Sequence, residues 1–342
     1  MDSSVATVGR VRSQGSLDME IGMVAPSAAR VGRGGDAGGL VRYWRQARGL
    51  SQMALALDVS VSTRHMSFVE TGRSRPSRPV LLRIAERLEI PGREENALLE
   101  AAGHARRHRE RDLSDPDLEQ VTRVLRFLLD RHEPNSAIVV DRHWDIVMSN
   151  RAHRTSRDFF LSGSDVPESV RDNLLRLTFH PDALRRRIVN FHVVGPVMIA
   201  RAERELAEAP SDRQLEELIE EIRSYGPVPP LVPMEDVPAG LLLPIQLRKG
   251  PVNVRLFSVV STIGAAIDVT LQELRIESFF PADEASEATL AVLLAGAATG
   301  NRDAASGTGT GRLAAKGPKT ARGCFAFRSP RDRLGLNHLA GV

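Results

Sequence analysis

The 342-residue chain is poor in the residue types that carry thiol and metal chemistry. Its one cysteine, Cys324, excludes an intrachain disulfide and a zinc site built from several thiolates. The 9 histidines show no His-Glu-x-x-His and no Cys/His spacing for zinc, so no metal is expected. No Gly-x-Ser-x-Gly nucleophile elbow is present. His180-Pro181-Asp182 is an acid–base pair on paper, yet a His and an Asp on either side of Pro read better as a turn before a helix. A non-enzyme is expected. Long apolar runs are also missing. The longest, Leu290 to Ala298, is too short to span a bilayer, and no apolar stretch of a secretory signal stands at the N-terminus. The expectations are a cytoplasmic location and no membrane insertion. Aromatic residues are only 4% of the chain, so its cores must come from Leu, Val, Ile and Ala.

Charge is present but unevenly spread. Residues 37–110 carry 13 arginines against 8 acidic residues, whereas residues 111–300 carry 21 basic against 29 acidic. A basic segment followed by an acidic one points to a polyanion that meets only the first.

Composition and periodicity divide the chain into five parts. Residues 1–37 and 300–342 lack apolar periodicity and read as a disordered leader and a disordered basic tail. The run Gly307-Thr308-Gly309-Thr310-Gly311 follows no strand and is a poor phosphate loop. Residues 38–103 read as a compact all-α domain of five short helices. Ser51 caps the second (52–57), the third runs from Ser62 to Thr71, and Pro91 opens the fifth. Residues 104–116 form an Arg-rich linker. Residues 117–299 read as an α+β domain with an antiparallel sheet. Strands are expected at 137–140, 145–148, 242–248, 252–262 and 269–279. Helices are expected at 118–129, 181–187, 188–209, 212–225 and 284–298.

The second and third helices have the features of a helix-turn-helix. A small residue, Ala56 or Ala54, allows close crossing. Leu55, Val61, Met66 and Val69 supply an apolar inner face. Ser62, Thr63 and Arg64 stand at the start of the third helix, where side chains reach base edges. Ser51-Gln52 and Glu70-Thr71-Gly72-Arg73-Ser74-Arg75-Pro76 resemble the pattern of the Xre-type regulators related to phage repressors. Four later stretches resemble the MmyB-like subgroup, in which a PAS-like ligand-binding domain follows the helix-turn-helix. They are His132-Glu133-Pro134, Val140-Asp141-Arg142-His143-Trp144-Asp145, the stretch from Leu175 to Asp182, and the stretch from Asp268 to Glu284. The resemblance covers roughly residues 38–298.

This resemblance implies a transcription regulator that binds a double-stranded DNA operator. It implies that Gln52 contacts the DNA backbone and that Thr63 and Arg64 face bases. Phe68 either touches a thymine methyl or packs. Arg73 and Arg75 are expected on phosphates. Met66 and Val69 read as core, His65 as solvated or structural, and Glu70 as an acceptor that holds the following loop.

For the second domain the resemblance implies a small apolar ligand, with a fatty acid as the leading candidate, and a homodimer. The residues themselves show a helix that is nearly apolar all round, with Phe191, Val194 and Met198. It could line a cavity against Phe257 or belong to a filled core that serves dimerisation or a partner. A cavity of about 300 Å³ or more would favour the ligand. A ligand carboxylate would want an arginine, with Arg176 or Arg187 available. Asn150 reads as a helix cap.

Overall fold

The computed structural model describes residues 36–113, 115–231, 244–264 and 268–306, with backbone alone for 297–306. The leader up to Gly35, the Gly-rich run and the rest of the tail lie outside the described residues.

Five helices come first among the described residues: α1 (Ala37–Ala47), α2 (Gln52–Asp58), α3 (Thr63–Glu70), α4 (Arg78–Arg87) and α5 (Gly92–Ala101). Side-chain caps set three of the starts. Asp36 accepts from the Gly39 N–H, Ser51 from Ala54 and Ser62 from His65. Helix α1 therefore begins within the Gly-rich stretch, and Gly38 is needed there. A Cβ on Gly38 would lie 2.3 Å from the Val69 carbonyl oxygen, so α1 crosses α3 backbone to backbone. Leu40, Val41, Trp44, Leu55, Met66, Val69, Leu81, Ile84, Leu88, Leu98 and Leu99 close the core of this region.

The rest of the described chain is helix α6 (Glu119–Arg131), strands β1 (Ser136–Val140) and β2 (Ile146–Ser149), and helices α7 (Arg151–Leu161), α8 (Glu168–Arg171), α9 (Leu174–Phe179), α10 (Phe191–Glu208) and α11 (Arg213–Ser224). Strands β3 (Ile245–Lys249) and β4 (Val252–Thr262), helix α12 (Val269–Glu273), strand β5 (Arg275–Pro281) and helix α13 (Glu284–Ser306) follow. The five strands form one antiparallel sheet in the order β2-β1-β5-β4-β3. Strand β1 is covered on both faces. Ile138 and Val140 pack toward α9 and α11, whereas Ala137 and Val139 pack toward α6 and α12.

Two expected elements take other forms. The stretch 269–279 is not one strand. Asp268 accepts from the Thr270 N–H and caps the short helix α12, and only Arg275 onward pairs with β1 and β4. Over five residues the pattern Val-Thr-Leu-Gln-Glu fits a period of two as well as one helical turn, so periodicity alone does not separate them. The helix expected at 181–187 is a single tight turn at Leu184–Arg186. Backbone pairing explains why α10 starts at Phe191. The Val189 N–H donates to the Gln246 carbonyl and the Arg248 N–H to that of Arg187, so 187–189 runs extended beside β3.

The helical region and the sheet region lie within one compact unit that ends at Ala298.

Candidate nucleic-acid interface and apolar cavity

Ala56, Val59 and Leu55 of the α2 region are buried against Met66 and Val69 of α3. The Val61 N–H donates to the Ala56 carbonyl across the turn, and Ser60 takes the left-handed conformation there, φ 56°. Helix α3 thus leaves Ser62, Thr63 and Arg64 exposed at its start. The Arg64 guanidinium lies 5.4 Å above the ring of half-buried Phe68. Phe68 thereby carries the exposed Arg64 guanidinium on its ring, one turn along the same helix face.

Beneath this surface is a buried ion pair. Glu70 receives two hydrogen bonds from Arg45, at 2.6 and 3.0 Å, and a third from the Gln52 amide at 2.7 Å. Glu70 is the structural acceptor expected, but it ties α1 and α2 to α3; it does not hold the following loop. Gln52, expected on the DNA backbone, spends an amide N–H inward because Glu70 is buried and needs donors. Its second amide N–H is left over, whereas the Ala54 N–H in the first turn of α2 is taken by Ser51.

Most arginines of this region are architectural. Arg48 donates to the carbonyls of Leu88 and Glu89, and Arg83 to that of Val59. Arg87 pairs with Asp58. Arg75, expected on phosphate, donates to the Ala102 carbonyl at 2.5 Å and lies against Gly103, closing the end of α5. Arg64 and Arg73 are exposed and, among the described residues, have no carboxylate or carbonyl partner. The basic excess of 37–110 therefore overstates the charge that is free for a polyanion.

The sheet region lines a half-open cavity of about 350 Å³ between the inner sheet face and α7, α9, α10 and α13. Phe160, Leu177, Val194, Met198, Leu256 and Phe279 are among its apolar walls. Val194 and Met198 are where the sequence placed them. Three other expected lining residues are elsewhere. Phe191 packs edge-to-face on Phe179, 5.4 Å between centroids, in the core beside the cavity. Phe257 is on the opposite sheet face, stacked on Phe280, because successive strand residues alternate and the cavity takes Leu256 and Ser258. Arg176 is held by Glu221 through hydrogen bonds of 2.7 to 3.0 Å. Arg187 donates to the Phe160 carbonyl.

The polar lining was not visible in the sequence. It comprises Ser136, His153, Ser156, Arg157, Thr178, Arg201, Ser258 and Glu277. Asn150 caps α7, as expected, by accepting from the His153 N–H, and this cap turns His153 onto β1. Burial, followed by the nearby Arg157 and Arg154 charges, pushes the His153 pKa down to about 3. The guanidinium groups of Arg201 and Arg275 both lie against Trp144, at 4.6 and 4.8 Å from its ring centre, and both donate to Glu205.

The helical and sheet regions meet through polar contacts. Tyr43 of α1 donates to the carbonyl of Ala207 near the end of α10, at 2.6 Å. Glu94 of α5 accepts from the Ser211 hydroxyl at 2.6 Å and its N–H at 3.3 Å. Burial pushes the Glu94 pKa up to about 7, against the opposing effect of those two hydrogen bonds. Arg93 binds Glu273 with two hydrogen bonds of 2.7 Å and Glu110 with another. Asp212, beside Ser211, pairs with Arg142 at 3.0 Å and His143 at 3.1 Å. The connector 104–113 is pinned as well: Arg107 to Glu95, Arg111 to Asp268, and the Arg109 carbonyl to the Val269 N–H.

Asp141, His143 and Asp145 place one ligand atom each within 4.8 Å of one another. The Asp141 carboxylate accepts the His143 and Asp145 N–H groups, while His143 faces Asp212 and Asp145 holds Asn173. Each is engaged in shaping the β1–β2 turn. His180 and Asp182 form a turn, with the Asp182 N–H donating to the His180 ring. No helix among the described residues is long and apolar enough to cross a membrane.

No curated protein matches the chain. A helix-turn-helix domain family matches residues 36–98. The MmyB-like transcription regulator ligand binding domain matches residues 121–293, half of the chain. The chain therefore belongs to the MmyB-like transcription regulators, with a helix-turn-helix domain ahead of the ligand-binding domain.

Proposed function

We propose that this regulator binds an operator through α3 and alters that binding when a small apolar molecule fills the cavity of its second domain. The observation that carries the reading is the place of α10. Its first turns line the cavity with Val194, Val197 and Met198, and its end accepts the hydrogen bond from Tyr43 of the DNA-binding region. A molecule that moves α10 therefore acts on the seat of the helix-turn-helix. A second route starts at Arg201, which lines the cavity and stacks on Trp144. Next to Trp144, His143 and Arg142 hold Asp212, and the adjacent Ser211 holds Glu94. The ligand shifts the DNA-binding equilibrium only by its difference in affinity for the two states.

A filled core serving only dimerisation would leave no room for a ligand, and a cavity of about 350 Å³ speaks against it. Each ligand methylene buried there contributes about 0.8 kcal/mol, so an acyl chain binds with few polar contacts.

The test is mass spectrometry of lipid extracted from purified full-length protein, followed by operator-binding titrations with that lipid removed and restored. A stoichiometric amphiphile that changes operator affinity at least about fivefold is expected, the lower end of ordinary coupling. Lipid-free protein whose operator affinity ignores every added amphiphile would rule the reading out.

A further inference from the structure

The polar part of the cavity wall holds two arginines and one glutamate, and both arginines already have carboxylate partners. Granted the ligand-binding reading on which this step rests, the head group of the ligand is chosen there. Arg201 donates to Glu277 at 2.8 Å and to Glu205 at 3.1 Å. Arg157 pairs with Asp172 at 3.1 Å and Asp158 at 3.3 Å. Both lining cations thus have carboxylate partners, and Glu277, 4% exposed, brings a negative charge to the wall. A ligand carboxylate would arrive beside Glu277 with no free cation to meet it. A ligand ammonium would find Glu277 already committed to Arg201. Either leaves a desolvated charge without its own partner, which is costly.

His153 offers something different. It is 7% exposed and lines the cavity, and its Nδ1 shares a hydrogen bond of 3.1 Å with the Ser136 hydroxyl. Its Nε2 is buried and has no hydrogen-bond partner among the described residues. The ring is neutral, so Nε2 either donates or accepts, and rotation of the Ser136 hydroxyl accommodates both tautomers. Ser136 and Ser258 pair with Phe279 from the strands on either side, which sets two hydroxyls beside one aromatic wall of the cavity.

We propose that the cavity takes an amphiphile with an uncharged hydrogen-bonding head — a hydroxyl, ester or amide — and that His153 Nε2 recognises this head. The ligand class is then a neutral lipid or fatty alcohol derivative; an ionised fatty acid is disfavoured. A buried polar atom selects strongly for a ligand group able to pair with it.

Decanol and decanoate share a tail and differ in the head, so they separate the two classes. Calorimetric titration of each into full-length protein stripped of lipid, near neutral pH, should find decanol bound at least about tenfold tighter. His153→Leu should bring the two affinities together, mainly by weakening decanol, while His153→Gln should keep the preference. Decanoate bound as tightly as decanol by the unaltered protein overturns the assignment of the head and leaves the ligand reading standing. Neither probe binding overturns both. A preference that survives His153→Leu removes His153 from the recognition. If His153→Leu does not fold, the comparison on the unaltered protein decides the head class alone.

Discussion

Arginine identity in this protein says less than arginine partnership. Arg64, Arg73 and Arg75 are close in sequence, yet Arg64 rests on Phe68, Arg73 has no partner among the described residues, and Arg75 closes α5. Their replacement by alanine should give three different results. Arg64→Ala should relax specificity at one base position, by about 1–3 kcal/mol. Arg73→Ala should weaken all DNA sequences alike and reduce the salt slope by about one. Arg75→Ala should lower the unfolding midpoint while leaving the salt slope unchanged. Operator titrations at several salt concentrations, with thermal melts, distinguish them; identical behaviour of Arg64→Ala and Arg73→Ala would contradict these roles. The position of Arg64 was legible in the sequence because cap, turn and helix register are local. The engagement of Arg75 was not, since its partner lies 27 residues away. His153 shows the same limit. The Asn150 cap was readable, but the meeting of His153 with Ser136, and their place in one cavity wall with Glu277 and Arg201, depends on the order of the strands.

At the scale of elements, the sequence revealed amphipathic helices and alternating strands wherever the run was long enough to show a period. The five N-terminal helices, α6, α11, β1 and β4 follow from spacing and caps. Helix α7 and the short helices α8, α9 and α12 do not, because their burial is set by the sheet and the helices they pack against. Nor did spacing show how α5 seats on the α10–α11 turn. That seat contains Glu94, facing Ser211, Asp212, Arg142 and Tyr43. Glu94 keeps its proton to about 7 when folded, against an ordinary value of 4.5. The folded protein therefore holds an extra proton between these values. The contribution is full below about 4.5 and is lost as pH rises through about 7. At most about 3 kcal/mol is at stake, at about 1.4 kcal/mol per unit. Thermal melts from acid to neutral pH should show the unaltered protein losing stability relative to Glu94→Gln across that window. Parallel curves for the two proteins would mean that Glu94 does not titrate there.

For the whole molecule, the decisive feature is that the DNA-binding region does not hang on a free tether. Residues 104–113 looked like a solvated connector, but Arg107, Arg109 and Arg111 are all fastened, and Arg93, Glu94 and Tyr43 clamp α1 and α5 to the second domain. In the homodimer that the family resemblance implies, the separation of the two α3 helices would be set by how the second domains pair. Inverted half-sites should lie about one helical turn apart, about 34–36 Å, with little tolerance. A flexible linker would allow the heads to follow a displaced half-site at small entropic cost. A clamped head must break its ion pairs first. Selection of operators from random DNA by the full-length protein should yield a two-fold symmetric site of a single spacing. Inserting about half a helical turn between the half-sites should reduce binding to that of one half-site. Replacing Arg93 and Tyr43 together, with alanine and phenylalanine, should restore part of the lost affinity by freeing the heads. Tolerance of the insertion by the unaltered protein would show that these clamping contacts open readily on DNA.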